Sequence, residues 1–241
     1  GDYLRLHLHD DLMISKKTGP TDLVTQMDQQ VQKDLVEKIT HRYPEDQIFA
    51  EEDGLRSPIS EGSVWVIDPI DGTNNFVTQK EDFAVMVAYF EDGIGQFGLI
   101  YDVMRDHLFY GGGEFPVYRN EVELTPFVDQ PLENFLIASN VGMLEKNDWG
   151  MADLGMDSLG IRVYGSAGIS FSKILSGGIL AYFSYIWPWD YAAAAIMGER
   201  LGYTVLNLNG DKPNYQTVEP IMMVPKVKLT EIQTYLKKGR S

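Results

Sequence analysis

Val64-Trp65-Val66-Ile67-Asp68-Pro69-Ile70-Asp71-Gly72-Thr73-Asn74-Asn75-Phe76 is the stretch on which the reading of this chain turns. Its first four residues form an apolar run rich in β-formers, the composition of a buried strand, and the run stops abruptly at Asp68. Two carboxylates at the end of such a strand are costly unless something positive neutralises them. Asp-Pro followed by Asp-Gly turns the chain tightly, so that Asp68 and Asp71 can point to one spot. Gly72 lets the backbone come close to a ligand. The natural occupant of such a corner is a hard divalent cation with a phosphate beside it. The plain alternative is a pair of turn-forming aspartates and nothing more.

Upstream of this corner, Val24, Met27, Val31, Leu35 and Ile39 recur at helical spacing, which predicts a helix from about Thr25 to residue 42. Tyr43-Pro44 stops it. Ile48-Phe49-Ala50 is a short apolar run leading into Glu51-Glu52. Downstream, Phe83 to Phe90 and Ile94 to Tyr101 flank Glu91-Asp92-Gly93, a β-hairpin pattern. A further strand is predicted at 107–110 and a short hairpin at 116–124. The rhythm then changes to alternating strand and helix. Strands are predicted at 135–139, 161–164, 179–183, 203–206 and 219–224, and helices at 147–156, 167–175, 190–201 and 229–238. The change divides the chain near residue 130: residues 1–130 form an α+β half, and residues 131–241 form an α/β half.

The chain has 241 residues, with 35 Asp and Glu against 20 Lys and Arg, a net charge of −15. A broad basic surface for nucleic acid is not expected, whereas an acidic surface concentrates cations. The chain contains no cysteine, which excludes a disulfide framework and a thiolate metal site and fits a cytoplasmic setting. No apolar run is long enough to span a membrane. Gly1 to Asp11 reads as the inside of a helix, so residues are expected to precede it in the full protein.

Two further acidic sites stand out, Glu51-Glu52 after an apolar run and Asp190 in Trp189-Asp190-Tyr191-Ala192-Ala193. Alone, Asp190 reads as a helix cap, and Glu51 and Glu52 as solvated loop acids. His7, His9, His41 and His107 form no ligand-like cluster, and Gly111-Gly112-Gly113 lacks the Lys-Ser/Thr of a P-loop. The aromatic run Tyr182 to Trp189 reads as packing rather than a base-stacking surface.

Together, the acidic pair, Asp68-Pro69-Ile70-Asp71-Gly72-Thr73 and Trp189-Asp190 with small residues after it resemble the inositol monophosphatase family, in that family's order. Lys17, Asp22-Leu23-Val24-Thr25 and Asp28 add an upstream match, as do Gly165-Ser166-Ala167 and Gly111-Gly112-Gly113-Glu114-Phe115. The resemblance covers about Lys17 to Gly202. It implies an α/β fold, the layered αβαβα sugar-phosphatase fold, with metals at the junction of the halves.

The resemblance also implies roles. Glu51, Asp68 and Asp71, with the Ile70 carbonyl, would hold Mg²⁺; Asp190 would complete the second metal position, and Asp71 would bridge the two. Thr73 would orient the nucleophilic water, Asp28 would accept from its hydroxyl, and Glu51 would touch the same water. Gly72 and Thr73 would offer N–H groups to phosphate. Asp71, Gly165, Ser166, Ala167 and Asp190 would meet the substrate, although Gly165-Ser166-Ala167 also reads as an ordinary helix cap. Lys17 would lie near the metal site unless it is a plain surface lysine. The implied activity is Mg²⁺-dependent, lithium-sensitive hydrolysis of a small phosphate monoester, with inositol monophosphate foremost. Fructose 1,6-bisphosphate, the 2′-phosphate of NADP and 3′-phosphoadenosine phosphate remain open. Relatives imply a homodimer. Two rival readings are a non-catalytic protein-binding regulator on the same scaffold and a metal binder without turnover.

One departure from the family pattern concerns the substrate wall. Many inositol-specific members carry an acid in the loop before Trp-Asp, and here Ser184-Tyr185-Ile186-Trp187-Pro188 has none. Buried polar contacts dominate discrimination among hydroxyl-rich substrates, so phosphatase chemistry is better supported than inositol as the substrate.

Overall fold

The computed structural model of the chain describes residues 1–10, 14–16 and 23–239. Lys17 and Asp22 lie outside the described residues. Helix α1 (Asp2–Leu6) precedes a small antiparallel pair, β1 (Ile14–Lys16) and β2 (Leu23–Thr25), and then α2 (Gln26–Arg42). Thr25 and Asp28 start α2 with a reciprocal cap. Thr25 Oγ1 accepts from Met27 N at 3.1 Å, and Asp28 Oδ2 accepts from Thr25 N at 2.8 Å. The helix ends at Arg42, as Tyr43-Pro44 requires.

The first sheet contains β3 (Gln47–Ala50), β4 (Ser63–Asp71), β5 (Ala84–Glu91), β6 (Ile94–Asp102), β7 (His107–Gly112), β8 (Phe115–Arg119) and β9 (Val122–Glu123), in that spatial order. Strands β3 and β4 are parallel, and the rest form an antiparallel meander. The β4–β5 ladder runs regularly to Asp68↔Met86 and then slips before Asp71↔Ala84. Pro69 has no N–H to give the ladder, and a bulge of this kind re-aims the side chains beside it. A short helix, α3 (Thr73–Thr78), follows directly.

The second sheet is built from β10 (Leu136–Ser139), β11 (Gly160–Arg162), β12 (Tyr182–Ile186), β13 (Tyr203–Asn207) and β14 (Glu219–Pro225), in the order β11-β10-β12-β14-β13. Between its strands run α4 (Val141–Glu145), α5 (Met151–Asp157), α6 (Ala167–Leu175) and α7 (Pro188–Arg200), and α8 (Leu229–Lys238) follows β14.

Apolar clusters define five layers. Leu4, Leu8 and Met27 pack on Ile70, Phe83 and Val85, while Leu35 and Ile39 cover Ile48 and Ile67. Helices α6 and α7 fill the space between the sheets. Ile169, Phe171, Ala193 and Ile196 share one cluster with Val66, Met86 and Ile100 on one side and Tyr182, Ile221 and Met223 on the other. On the far face, Met143, Leu154, Ile232 and Leu236 pack on Ile137, Phe183 and Met222. The result is the αβαβα stack. A Cβ at Gly98 of β6 would collide with the Ala193 carbonyl oxygen, so the small-residue face of α7 lies directly on the sheet.

Some elements differ from expectation. Strand β12 covers 182–186 rather than 179–183. Leu180 and Ala181 are buried and bond to the β10 backbone, but the antiparallel ladder with β14 holds only from Tyr182 onward and extends through Ser184 and Tyr185. Helix α7 starts at Pro188, two residues early, because proline suits the first helical position. Helix α3 is hidden in sequence by Asn74 and Asn75; its stability comes from tertiary packing, with Phe76 edge-on to Phe83 at 5.0 Å.

Candidate active site

Asp68 and Asp71 at the end of β4 converge with Asp190 at the start of α7, and Glu51 leaves β3 beside them. Strand β3 runs parallel to β4 with Ala50 beside Ile67, and Glu51 N donates to Ile67 O at 3.1 Å, so Glu51 and Asp68 leave neighbouring strands in the same direction. Asp190 enters from the first turn of α7. One carboxylate oxygen each from Asp68, Asp71 and Asp190 lie within 4.8 Å of one another. Asp68 and Asp71 are buried, and Asp190 is half-buried.

The three carboxylates have different surroundings. Asp68 Oδ1 is buried and finds no hydrogen-bond partner among the described residues. Asp71 rests on the N-terminus of α6, where Oδ1 accepts from Ala167 N at 3.0 Å and Oδ2 accepts from Gly168 N at 2.8 Å and from the Ser166 hydroxyl. Asp190 Oδ2 accepts from Trp187 N at 2.8 Å, so the helix-cap reading of Asp190 holds together with its place in the cluster.

Burial, then the charges of Glu51, Asp71 and Asp190, push the Asp68 carboxyl well above the usual carboxylate range. Burial and the charges of Asp71 and Glu51 do the same to Asp190. Burial also raises Asp71, against the opposing pull of its three donors. Carboxylates crowded in this way repel one another, and a cation would relieve the repulsion. The orphaned oxygen of Asp68 and the oxygen-only donor set fit a hard divalent ion such as Mg²⁺. Asp68 interacts with Glu51, Asp71 and Asp190 alike, while both Asp71 oxygens are engaged by α6. Asp68 thus carries the oxygen without a partner among the described residues, and Asp71 is the carboxylate anchored to α6.

Thr73 lies beside this corner. Its hydroxyl is 3.0 Å from Asp28 Oδ1 and 3.1 Å from the Ile70 carbonyl, which compete for its single proton. Gly72 takes the left-handed conformation, φ 87°, where a Cβ would come 2.9 Å from Ser166 Cβ. Ser166 caps α6 by accepting from Ile169 N at 3.1 Å and gives its own proton to Asp71. Gly165, at φ 71°, packs against the Asn75 side chain. The donors of Ser166 and Ala167 are thus committed to Asp71, and the cap reading of this turn holds.

Several positioning residues were not legible in the sequence. Gln32, buried in α2, clamps the backbone of Glu52: its Nε2 donates to Glu52 O at 2.9 Å, and its Oε1 accepts from Glu52 N at 2.8 Å. Asn75 Nδ2 donates to Tyr164 O at 2.7 Å and to Asp82 O at 2.9 Å, joining α3 to the segment before α6. Gly168 could have been inferred, because the first N–H groups of any helix lack intrahelical partners.

The inositol monophosphatase family model matches residues 1–238. The chain is 36% identical over 210 residues to inositol-1-monophosphatase of Bacillus subtilis (strain 168), covering 85% of this chain and 79% of that protein. It resembles a solved IMPase/NADP phosphatase complexed with Mg²⁺ and phosphate at 25% identity and a TM-score of 0.89, covering 97% of this chain and 89% of the other. It also resembles inositol monophosphate-bound SaIMPase-II at 31% identity and a TM-score of 0.82, covering 88% and 85%. No helix among the described residues is long and apolar enough to cross a membrane. The match along nearly the whole chain, on a layered αβαβα fold with the acidic corner in place, shows that this chain belongs to the inositol monophosphatase family, a family of phosphoric monoester hydrolases.

Proposed function

We propose that this protein hydrolyses a small phosphate monoester with Mg²⁺, and that inositol monophosphate is its foremost substrate. The observation that carries the reading is the convergence of Asp68, Asp71 and Asp190 within 4.8 Å around the unpartnered Asp68 Oδ1. Glu51, Asp68, the Ile70 carbonyl, Asp71 and Asp190 would hold the metal. When bound, Mg²⁺ neutralises phosphate charge and acidifies water near neutral pH. Asp28 takes the Thr73 proton, which leaves the Thr73 oxygen to accept from, and so orient, the attacking water. Glu51 is the second group that faces this water. The N–H groups of Gly72 and Thr73 face the phosphate. Asp71, the Gly165-Ser166-Ala167 turn and Asp190 form the wall for the alcohol part of the substrate. Positioning and charge stabilisation by this constellation must supply most of the acceleration.

A second reading, the 2′-phosphate of NADP or a related nucleotide, is favoured by one observation. The segment before Asp190 carries no acid and instead exposes Tyr185 and Trp187, 45% and 39% accessible, with the Trp187 backbone bonded to Asp190. An aromatic wall suits a base better than a ring of hydroxyls. Phosphate release from inositol 1-phosphate, fructose 1,6-bisphosphate, NADP and 3′-phosphoadenosine 5′-phosphate, each with Mg²⁺ and with EDTA, separates the readings. Fastest Mg²⁺-dependent release from inositol 1-phosphate supports the first; preference for NADP overturns it in favour of the second. No release from any of them counts against both.

A further inference from the structure

Arg56 lies outside the acidic corner and outside every motif quoted above, yet it touches both arms of that corner. The chain leaves β3 at Ala50, passes through Glu51 to Leu55 and returns at Arg56, which bridges Phe49 in antiparallel fashion. Ala50 N donates to Leu55 O at 3.0 Å, and Ser57 N donates to Ile48 O at 3.3 Å, closing the loop. The guanidinium folds back over it. Nη1 donates to the carbonyls of Ala50 and Leu55, the latter at 3.0 Å, and Nη2 donates to the Glu51 carbonyl at 3.2 Å. The guanidinium carbon lies over the Trp189 ring, 4.7 Å from its centroid. Trp189 is buried, packs on Phe49 at 5.5 Å and on Trp187 at 4.9 Å, and immediately precedes Asp190.

One side chain thus grips the backbone of Glu51 and stacks on the residue next to Asp190. Only a planar fork can do both, because a lysine ammonium neither spans several carbonyls in one plane nor stacks flat on indole. Burial works against the charge of Arg56, and the nearby Glu51 and Glu52 carboxylates work in its favour. We propose that Arg56 is the positioning residue that fixes Glu51 relative to Asp190, holding two arms of the acidic corner at the spacing a divalent cation needs. The inference rests on reading that corner as a Mg²⁺ site. It assigns Arg56 no contact with substrate.

The test uses the full chain with Mg²⁺ alone as the probe, in calorimetric titration and in thermal melting with EDTA or Mg²⁺. Arg56→Lys keeps the charge and most of the stem, and Arg56→Met keeps the stem without the charge. Loss of a residue that orients metal ligands lowers metal affinity about 10–100-fold. Arg56→Lys is expected to bind Mg²⁺ at least about tenfold more weakly than the wild type. The Mg²⁺ midpoint of phosphate release should shift by the same factor, with the KM for the ester little changed. A merely structural role would lower melting in EDTA and leave Mg²⁺ affinity at the wild-type value, and that result overturns the inference. Should Arg56→Met fail to fold, Arg56→Lys decides alone. A wild type that does not bind Mg²⁺ overturns the cation reading of the corner, and this inference falls with it. That failure shows in the unmutated protein and so is distinguishable.

Discussion

Thr73 and Asp28, from the start of α3 and the first turn of α2, meet at 3.0 Å, and the same Asp28 carboxylate uses its other oxygen to cap its own helix. The carboxylate that faces the Thr73 hydroxyl is therefore held on two sides and fully buried. Replacing Thr73 by Ala removes the hydroxyl and its bond to Asp28 while leaving Asp68, Asp71 and Asp190 in place. Turnover is expected to fall by about 10²–10⁴-fold, the usual worth of a positioned proton-transfer group. Calorimetric titration should show Mg²⁺ binding retained, and Thr73→Ser should recover most of the activity. Undiminished turnover in Thr73→Ala would remove the water-orienting role from this residue.

Asp28→Asn leaves a side chain that can still accept from the Thr25 backbone but bears no charge for Thr73. Loss of cap strength is expected to cost about 1 kcal/mol. Urea unfolding measures that cost, and the loss of activity should be much larger than a stability change of that size explains.

Asp68 is the most deeply buried acid of the corner and carries the unpartnered oxygen. Asp68→Asn takes one charge out of a mutually repelling set, so the metal-free protein is expected to become more stable while activity is lost. A gain of about 1 kcal/mol corresponds to a rise of about 2–4 °C in Tm for a chain of this size. Melting in EDTA should show that rise, and added Mg²⁺ should stabilise the wild type but not the variant. A variant that melts lower than the wild type in EDTA would mean that the Asp68 carboxylate is satisfied without a cation.

Gly98 tests the placement of Asp190 from a distance. A methyl group there meets the Ala193 carbonyl, so α7 must move off the sheet and carry Asp190 with it. Gly98→Ala is expected to cost about 1–3 kcal/mol, the usual range for overpacking a close contact. It should also weaken Mg²⁺ binding, although it touches no acid. Normal Mg²⁺ affinity in a destabilised Gly98→Ala protein would show that the start of α7 is held independently of this contact.

Li⁺ is a small, hard cation suited to the same oxygen donors, and the family resemblance implies sensitivity to it. Phosphate release at fixed Mg²⁺ is expected to fall as LiCl is added, with KCl at equal ionic strength as the control. Equal effects of the two salts would count against competition at the acidic corner.

The sequence by itself determined most of the local structure and the chemistry of the ligands. The run Val64 to Ile67 marked a strand because its side chains admit little else, and Pro69 and Gly72 marked the turn where the ladder slips. Helical spacing placed α2, and the boundaries of α6 and α8 were legible from composition and caps. The oxygen-only character of the corner could be read from the residue types alone. What the tertiary structure decided was which groups share a surface. Asp71 meets the N-terminus of α6, and Arg56 lies over Trp189, because packing of α6 and α7 against the first sheet brings distant segments together. Gln32, Asn75 and Arg56 carry no signal in a linear chain, since Gln32 and Asn75 act on backbone groups, and Arg56 on the Trp189 ring, that only folding brings within reach. The burial of Asp68 with one oxygen unpartnered among the described residues was likewise settled by packing. Periodicity reports which face of an element is buried, and only the assembled layers determine which oxygen is left there without a partner.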